Sequence, residues 1–254
     1  MEEEGVCKLC NKKRILVKGH IYPNFFTKWI RKENKDIKSF YYRHLKNGEW
    51  QVEKRQNTLT FFLFCNECDN EILSKIEGSF KKNCFKQILN GEFNFVNEYS
   101  LLIQKFSASI AFRVLYHMEI FDPKNFHEVG PELLFHATQA TKEWCSIITQ
   151  DINSYCYYNL YFDYLFTNNN QSSSSQWNLK HMLFRVDGKL FLAVLCGPLI
   201  ILGSLNPKLN FTKDMVSNAV DKLLKTESEN NKRFGPTGII IGSNPIFNNI
   251  RINY

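Results

Sequence analysis

The alternation of apolar and polar residues marks out the elements of this chain. Ile15, Leu16 and Val17, and then His20, Ile21 and Tyr22, flank Lys18-Gly19. They read as a short hairpin with a turn or bulge at that pair, ended by Pro23. Phe25, Phe26, Trp29 and Ile30 fall at helical spacing, with basic residues elsewhere on the same segment. "FYYRHLKNGEWQVEK" carries Asn47-Gly48 between two alternating runs, the signal of a tight hairpin. "TLTFFLF" predicts a strand, and Ile72, Ile76, Phe80 and Cys84 mark one stripe of a helix that begins near Asp69. "EYSLLIQKFSASIAFRVLYHM" is apolar nearly all round and predicts a buried central helix. Arg113 lies inside it, and burial there requires a partner, a carboxylate or a phosphate. Gly130-Pro131 opens a further helix. Asp187-Gly188 joins two apolar strands, and Thr212 caps a last helix lined by Met215, Ala219 and Leu223.

These elements divide the chain into residues 1–84, a helical region 85–166, and a C-terminal α+β region 177–254, with the polar run 167–176 as linker. The fold class is α+β. No internal repeat is present. "GPTGIIIG" is not a phosphate loop, since no Lys-Ser or Lys-Thr follows at the required spacing. No apolar run is long enough for a membrane helix, and "MEEEG" lacks the layout of a signal peptide, so a cytoplasmic protein with no membrane partner is expected.

Charge changes the picture. The chain has a formal charge of +7, and residues 1–60 carry 14 Lys and Arg against 7 Asp and Glu, so the whole excess lies there. A localised basic region is what a phosphate backbone attracts, although a run of charge is also an ordinary solvated face. Lys12, Lys13, Arg14, Lys18, Lys28, Arg31 and Lys32 are the candidate nucleic-acid contacts.

The cysteines sharpen this. Cys7 and Cys10, and then Cys65 and Cys68, form two C-x2-C pairs. Together they supply four thiolates, a closed tetrahedral set for structural zinc. Cys84, Cys145, Cys156 and Cys196 stand singly in apolar surroundings and read as small buried hydrophobes. His117, His127 and His136 show no ligand spacing. The order is knuckle, hairpin, insertion, strand, and knuckle at a helix start, which is a treble-clef arrangement.

In "GHIYPNFFTKWI" and "FLFCNECDNEILSKIE", residues 7 to 84 resemble the zinc-stapled HNH-type endonucleases of the ββα-metal class. The nearest pattern is a bacterial subgroup that reads C-x-L-C … SHIIP-x-F … LLC-x2-CE. "FSASIAFRVL" at 106–115 resembles the apolar helix that follows in those proteins. The resemblance implies an endonuclease that hydrolyses nucleic-acid phosphodiesters, most naturally DNA, in bacterial defence. His20 would be the general base, Asp69 the ligand of a catalytic Mg2+ or Mn2+, and Asn57 the residue that orients the base. Two positions depart from the family. Gly19 stands where many members place an acidic residue or His as a second ligand, and Asp69 stands where His or Asn is usual. Two other readings stay open: a non-catalytic zinc module that binds nucleic acid or a partner protein, and a purely structural zinc staple. The C-terminal region could serve packing, homo-oligomerisation or sensing.

Overall fold

The computed structural model describes residues 3–33, 40–46, 49–55, 60–93, 97–121, 130–150, 157–164, 179–186, 188–212 and 214–218. Helices and antiparallel sheets are mixed along the chain, as expected for α+β. Strand β1 (Glu3–Val6) leads into the first cysteine pair, and β2 (Lys13–His20) leaves it. Helix α1 (Asn24–Glu33) follows, then the β3 (Phe40–Lys46) and β4 (Glu49–Arg55) hairpin, then β5 (Thr60–Cys65). Strands β1, β2 and β5 form one sheet in the order β1-β2-β5.

The expected hairpin at 15–22 is corrected here. Strand β2 runs straight through Lys18-Gly19 to His20, with β1 on one side and β5 on the other. The glycine sits just past a bulge, where the register against β5 slips between Val17 and Lys18. A bulge bends the strand and re-aims the side chains beyond it. Of the two readings, turn or bulge, the bulge holds; the hairpin failed because both partners of β2 lie far from it in sequence or carry little apolar pattern.

Helix α2 covers residues 67–90 without a break, with π-helical stretches at Glu67–Leu73 and Lys81–Phe85. Its Ile76, Phe80 and Cys84 are buried, as the stripe predicts, and it starts two residues earlier than expected. Helix α3 (Asn97–Phe121) is the buried centre: residues 106 to 115 are all buried. The Phe80 and Phe106 rings stack at 3.6 Å between centroids, fixing α2 on α3. Helix α4 (Pro131–Thr149) opens on its Pro and lies against α3.

The C-terminal strands β6 (Leu160–Tyr164), β7 (Leu179–Val186), β8 (Lys189–Cys196) and β9 (Leu199–Ser204) make a sheet in the order β6-β9-β8-β7. Every residue of β9 is buried. One face of this sheet joins the helices: an added Cβ at Gly203 would lie 2.6 Å from the Trp144 ring of α4. The other face gathers Tyr161, Phe191, Leu195, Leu202 and Val216. At the β8–β9 turn Gly197 has a left-handed φ of 60° and lies against the Trp29 ring of α1. One apolar core therefore runs from Cys7 to Leu205. Thr212 does cap a helical turn, its Oγ1 accepting from the Met215 N–H at 3.3 Å. The run 167–176, Cys156, His127 and "GPTGIIIG" lie outside the described residues. Among the described residues no helix is long and apolar enough to cross a membrane.

Candidate functional site

The first cysteine pair sits in a tight turn. Asn11 N–H donates to the Cys7 carbonyl at 2.9 Å, Cys7 N–H donates to the Lys12 carbonyl at 3.0 Å, and Asn11 adopts φ 55°. Asn tolerates this left-handed region better than most residues. Lys8 N–H donates to the Leu63 carbonyl at 2.9 Å and ties the turn to β5. That strand ends at Cys65, and Cys68 lies in the first turn of α2. The four Sγ atoms all lie within 4.8 Å of one another, with Cys10 and Cys65 3.9 Å apart. A tetrahedron with Zn–S bonds near 2.3 Å has edges of about 3.8 Å, so the set can hold a metal ion such as zinc. Charge points the same way. Burial and the neighbouring sulfurs push the Cys68 thiol well up, so a bound cation would be needed to hold it as the thiolate. Cys145 is not a plain apolar cysteine: its S–H on α4 donates to the Leu9 carbonyl at 3.2 Å, inside the first turn. Cys84 and Cys196 are buried as expected.

A second cluster forms where β2 ends. Its pairing with β5 runs Gly19↔Phe61 and His20↔Thr60. A Cβ built on Gly19 would lie 2.7 Å from Asp69 Oδ1 and 3.3 Å from its Cγ. The Asp69 carboxylate thus occupies the space that a side chain at position 19 would fill, at the residue preceding His20, and it is near enough for its charge to reach the imidazole. Both residues are half-buried. Burial lowers the His20 pKa, opposed by Glu77 and Asp69, with Arg113 and Lys28 lowering it further. Burial raises that of Asp69, opposed by Arg113 and His20. His20 is held toward the neutral imidazole, the form that accepts a proton.

Two further residues join this cluster. Arg113 is 1% exposed, donates from Nη1 to the His20 carbonyl at 2.9 Å, and pairs from Nη2 with Glu77 Oε1 at 2.6 Å. The expectation of a carboxylate partner for Arg113 is met, and the carboxylate comes from α2. An Arg in an otherwise apolar helix was the signal for this contact; nothing in the sequence pointed to His20 as its second partner. Glu71 is exposed on α2.

Of the basic candidates, Lys12, Lys13, Arg14, Lys18, Lys28 and Lys32 are exposed and Arg31 is half-buried. Lys13 Nζ meets Glu4 at 3.4 Å, and Lys28 is near enough for its charge to reach His20. Asn57 lies outside the described residues. Among the described residues, only the four cysteines bring three or more His, Cys, Asp or Glu ligand atoms together closely enough for a metal. No family model matches the chain, and no curated protein or solved structure matches it.

Proposed function

We propose that this protein is a metal-dependent endonuclease of the HNH type, built on a treble-clef zinc module. The observation that carries the reading is the Asp69 carboxylate packed against Gly19, the residue preceding His20 in the strand. The sequence pattern alone shows an empty ligand position at Gly19. In space the Asp69 carboxylate of α2 enters the room beside Gly19, which supports Asp69 as the one proposed ligand standing near that position.

In this reading His20 takes a proton from the attacking water, and its lowered pKa leaves the imidazole free to do so at neutral pH. Asp69 offers a hard oxygen ligand suited to Mg2+ or Mn2+. Such an ion, when bound, supplies charge stabilisation on the phosphodiester. Lys18 and Lys28 extend from the flanking strand and helix and would hold the nucleic-acid backbone. The zinc site contributes rigidity, because Cys65 and Cys68 bracket the junction from which Asp69 projects. Bacterial defence against invading DNA, in the cytoplasm, is the setting that goes with this activity.

The test is cleavage of plasmid and single-stranded DNA and of RNA with Mg2+ or Mn2+. His20→Ala should reduce the rate about 100-fold to 10,000-fold, the usual effect of removing a general base, with zinc content and melting unchanged. EDTA should stop the reaction and added Mg2+ restore it. A wild type as inert as His20→Ala on every substrate would defeat the proposal. One observation favours a second reading, a non-catalytic zinc module that binds nucleic acid or a protein. Glu77 is engaged by Arg113, and among the described residues Asp69 belongs to no group of three or more close ligand atoms. Salt-sensitive binding without cleavage would select it.

A further inference from the structure

Arg113 sits mid-helix in α3 between the buried Phe112 and Val114. A guanidinium in such surroundings is costly unless its donors are met. Two of its contacts stay within its own helix: Nε donates to the Ser109 carbonyl at 3.0 Å and Nη2 reaches Ser109 Oγ at 3.4 Å. Ser109 Oγ in turn donates to the Phe106 carbonyl at 2.7 Å, so the anchor is itself held. The other two contacts leave the helix. Nη2 pairs with Glu77 Oε1 at 2.6 Å on α2, and Nη1 donates to the main-chain carbonyl of His20 at 2.9 Å.

A simple ion pair between two helices needs only Glu77. It gives no reason for a second arm on the last residue of β2, 93 positions away in the chain. The fork geometry gives one. A planar guanidinium anchored at Nε presents its two remaining nitrogens at a fixed separation, so it sets the distance between the two groups it grips. Those groups belong to the strand that ends in His20 and to the helix that carries Asp69.

We propose that Arg113 is the positioning residue of this site: it clamps the His20 main chain against α2 and so fixes the imidazole relative to the Asp69 carboxylate. It thereby performs, from α3, the orienting role that the family resemblance implies for Asn57. The catalytic consequence rests on the nuclease reading above; the placement of the His20 ring does not.

The experiment uses the full chain and the variants Arg113→Lys and Glu77→Gln. A lysine is a point donor and cannot span both partners. Gln keeps an acceptor for Nη2. On plasmid DNA with Mg2+, Arg113→Lys should lower kcat about 100-fold, the scale of a ~1 Å misplacement, with KM and zinc content little changed. Glu77→Gln should lose less. In a 13C–1H spectrum the His20 ring signal, identified by its loss in His20→Ala, should shift or double in Arg113→Lys. The His136 signal, whose ring bonds Tyr158 at 2.8 Å, should stay in place. A wild-type kcat in folded Arg113→Lys overturns the proposal, as does an unmoved His20 signal. If Arg113→Lys does not fold, Glu77→Ala frees the same clamp from its other end and is read in the same two ways. If the wild type does not cleave, the nuclease reading falls, and the His20 signal alone decides whether Arg113 positions the ring.

Discussion

Gly19→Ala separates the site from the scaffold more cleanly than any other single change. The new methyl would lie 2.7 Å from Asp69 Oδ1, 3.3 Å from Asp69 Cγ and 3.5 Å from Phe64 Cδ2. Ordinary contact begins near 3.4 Å, so Phe64 can stay while the carboxylate must retreat by about 0.7 Å. Turning a short side chain off its rotamer costs about 0.5–1.5 kcal/mol. Replacing Gly in an extended strand returns about 0.4–1 kcal/mol through the unfolded chain, and Gly19 has no positive φ to forbid it. The two effects nearly cancel, so the melting temperature should move by only a few degrees. Activity should not be spared. A displacement of about 1 Å at a reacting group costs about 100-fold, and a displaced ligand should also raise the Mg2+ concentration needed for half-maximal rate. The assay is plasmid nicking across a Mg2+ titration, run beside thermal melting. Gly5→Ala is the control: its methyl would lie 2.7 Å from Leu16 Cδ1, an equal crowding against an apolar side chain. It should melt much as Gly19→Ala does and cleave like wild type. A folded Gly19→Ala protein with normal rate and normal Mg2+ dependence would refute the placement of Asp69 in the site.

Three other outcomes follow from the structure. Cys65→Ala should release about one metal ion per chain, measured by mass spectrometry, and unfold the N-terminal elements, because closed cysteine sites contribute folding free energy outright; unchanged melting without metal would contradict it. Replacing Lys18 and Lys28 together should reduce the slope of log affinity for DNA against log salt by about 2, one per lost phosphate contact, and an unaltered slope would place the interface elsewhere. His117 packs on the Phe61 ring with 4.6 Å between centroids, and burial with the nearby His181 pushes its pKa down to about 3. Its folded state refuses a proton that the unfolded chain accepts below pH 6.5. Stability should therefore be fully present above that pH and fall on acidification by about 1.4 kcal/mol per pH unit. Since acid would also strip a metal held by the four cysteines, the measurement is the difference in melting between wild type and His117→Phe from pH 7 to 5, and parallel curves would count against it.

Elements whose signals are local were legible in the sequence. The β7–β8 hairpin follows from Asp187-Gly188, and Gly188 takes the positive φ of 75° that such a turn needs. Helix α3 follows from its continuous apolar surface, and the four-cysteine cluster from two C-x2-C pairs. What failed was pairing. Strand β1 reads "EEGV", with one apolar residue in four, so nothing marked it as a neighbour of β2. Without that neighbour, Lys18-Gly19 looked like the end of a strand rather than a point along it. A glycine signals freedom of the backbone or room beside it, and sequence alone does not say which.

The same ambiguity governs the site. Read along the chain, Gly19 is a missing ligand, and Asp69 is an acidic residue well placed against a helix dipole. Each taken singly argues for a module that has lost its chemistry. The fold makes them one feature, since the space vacated at position 19 is the space the Asp69 carboxylate enters. The register slips between Val17 and Lys18 just before Gly19, and the second cysteine pair lies where α2 begins. The bulge was one of two readings of Lys18-Gly19, but the distance between position 19 and α2 is written in no short motif. Arg113 repeats the pattern at greater range, because its value lies in joining His20 to Glu77, and those two positions share no local signal. The spacing of a motif can change while its geometry is kept, provided another element supplies the group. On the nuclease reading the single proposed ligand, Asp69 of α2, then stands where the family's second ligand would project, and Gly19 leaves the room that its carboxylate occupies.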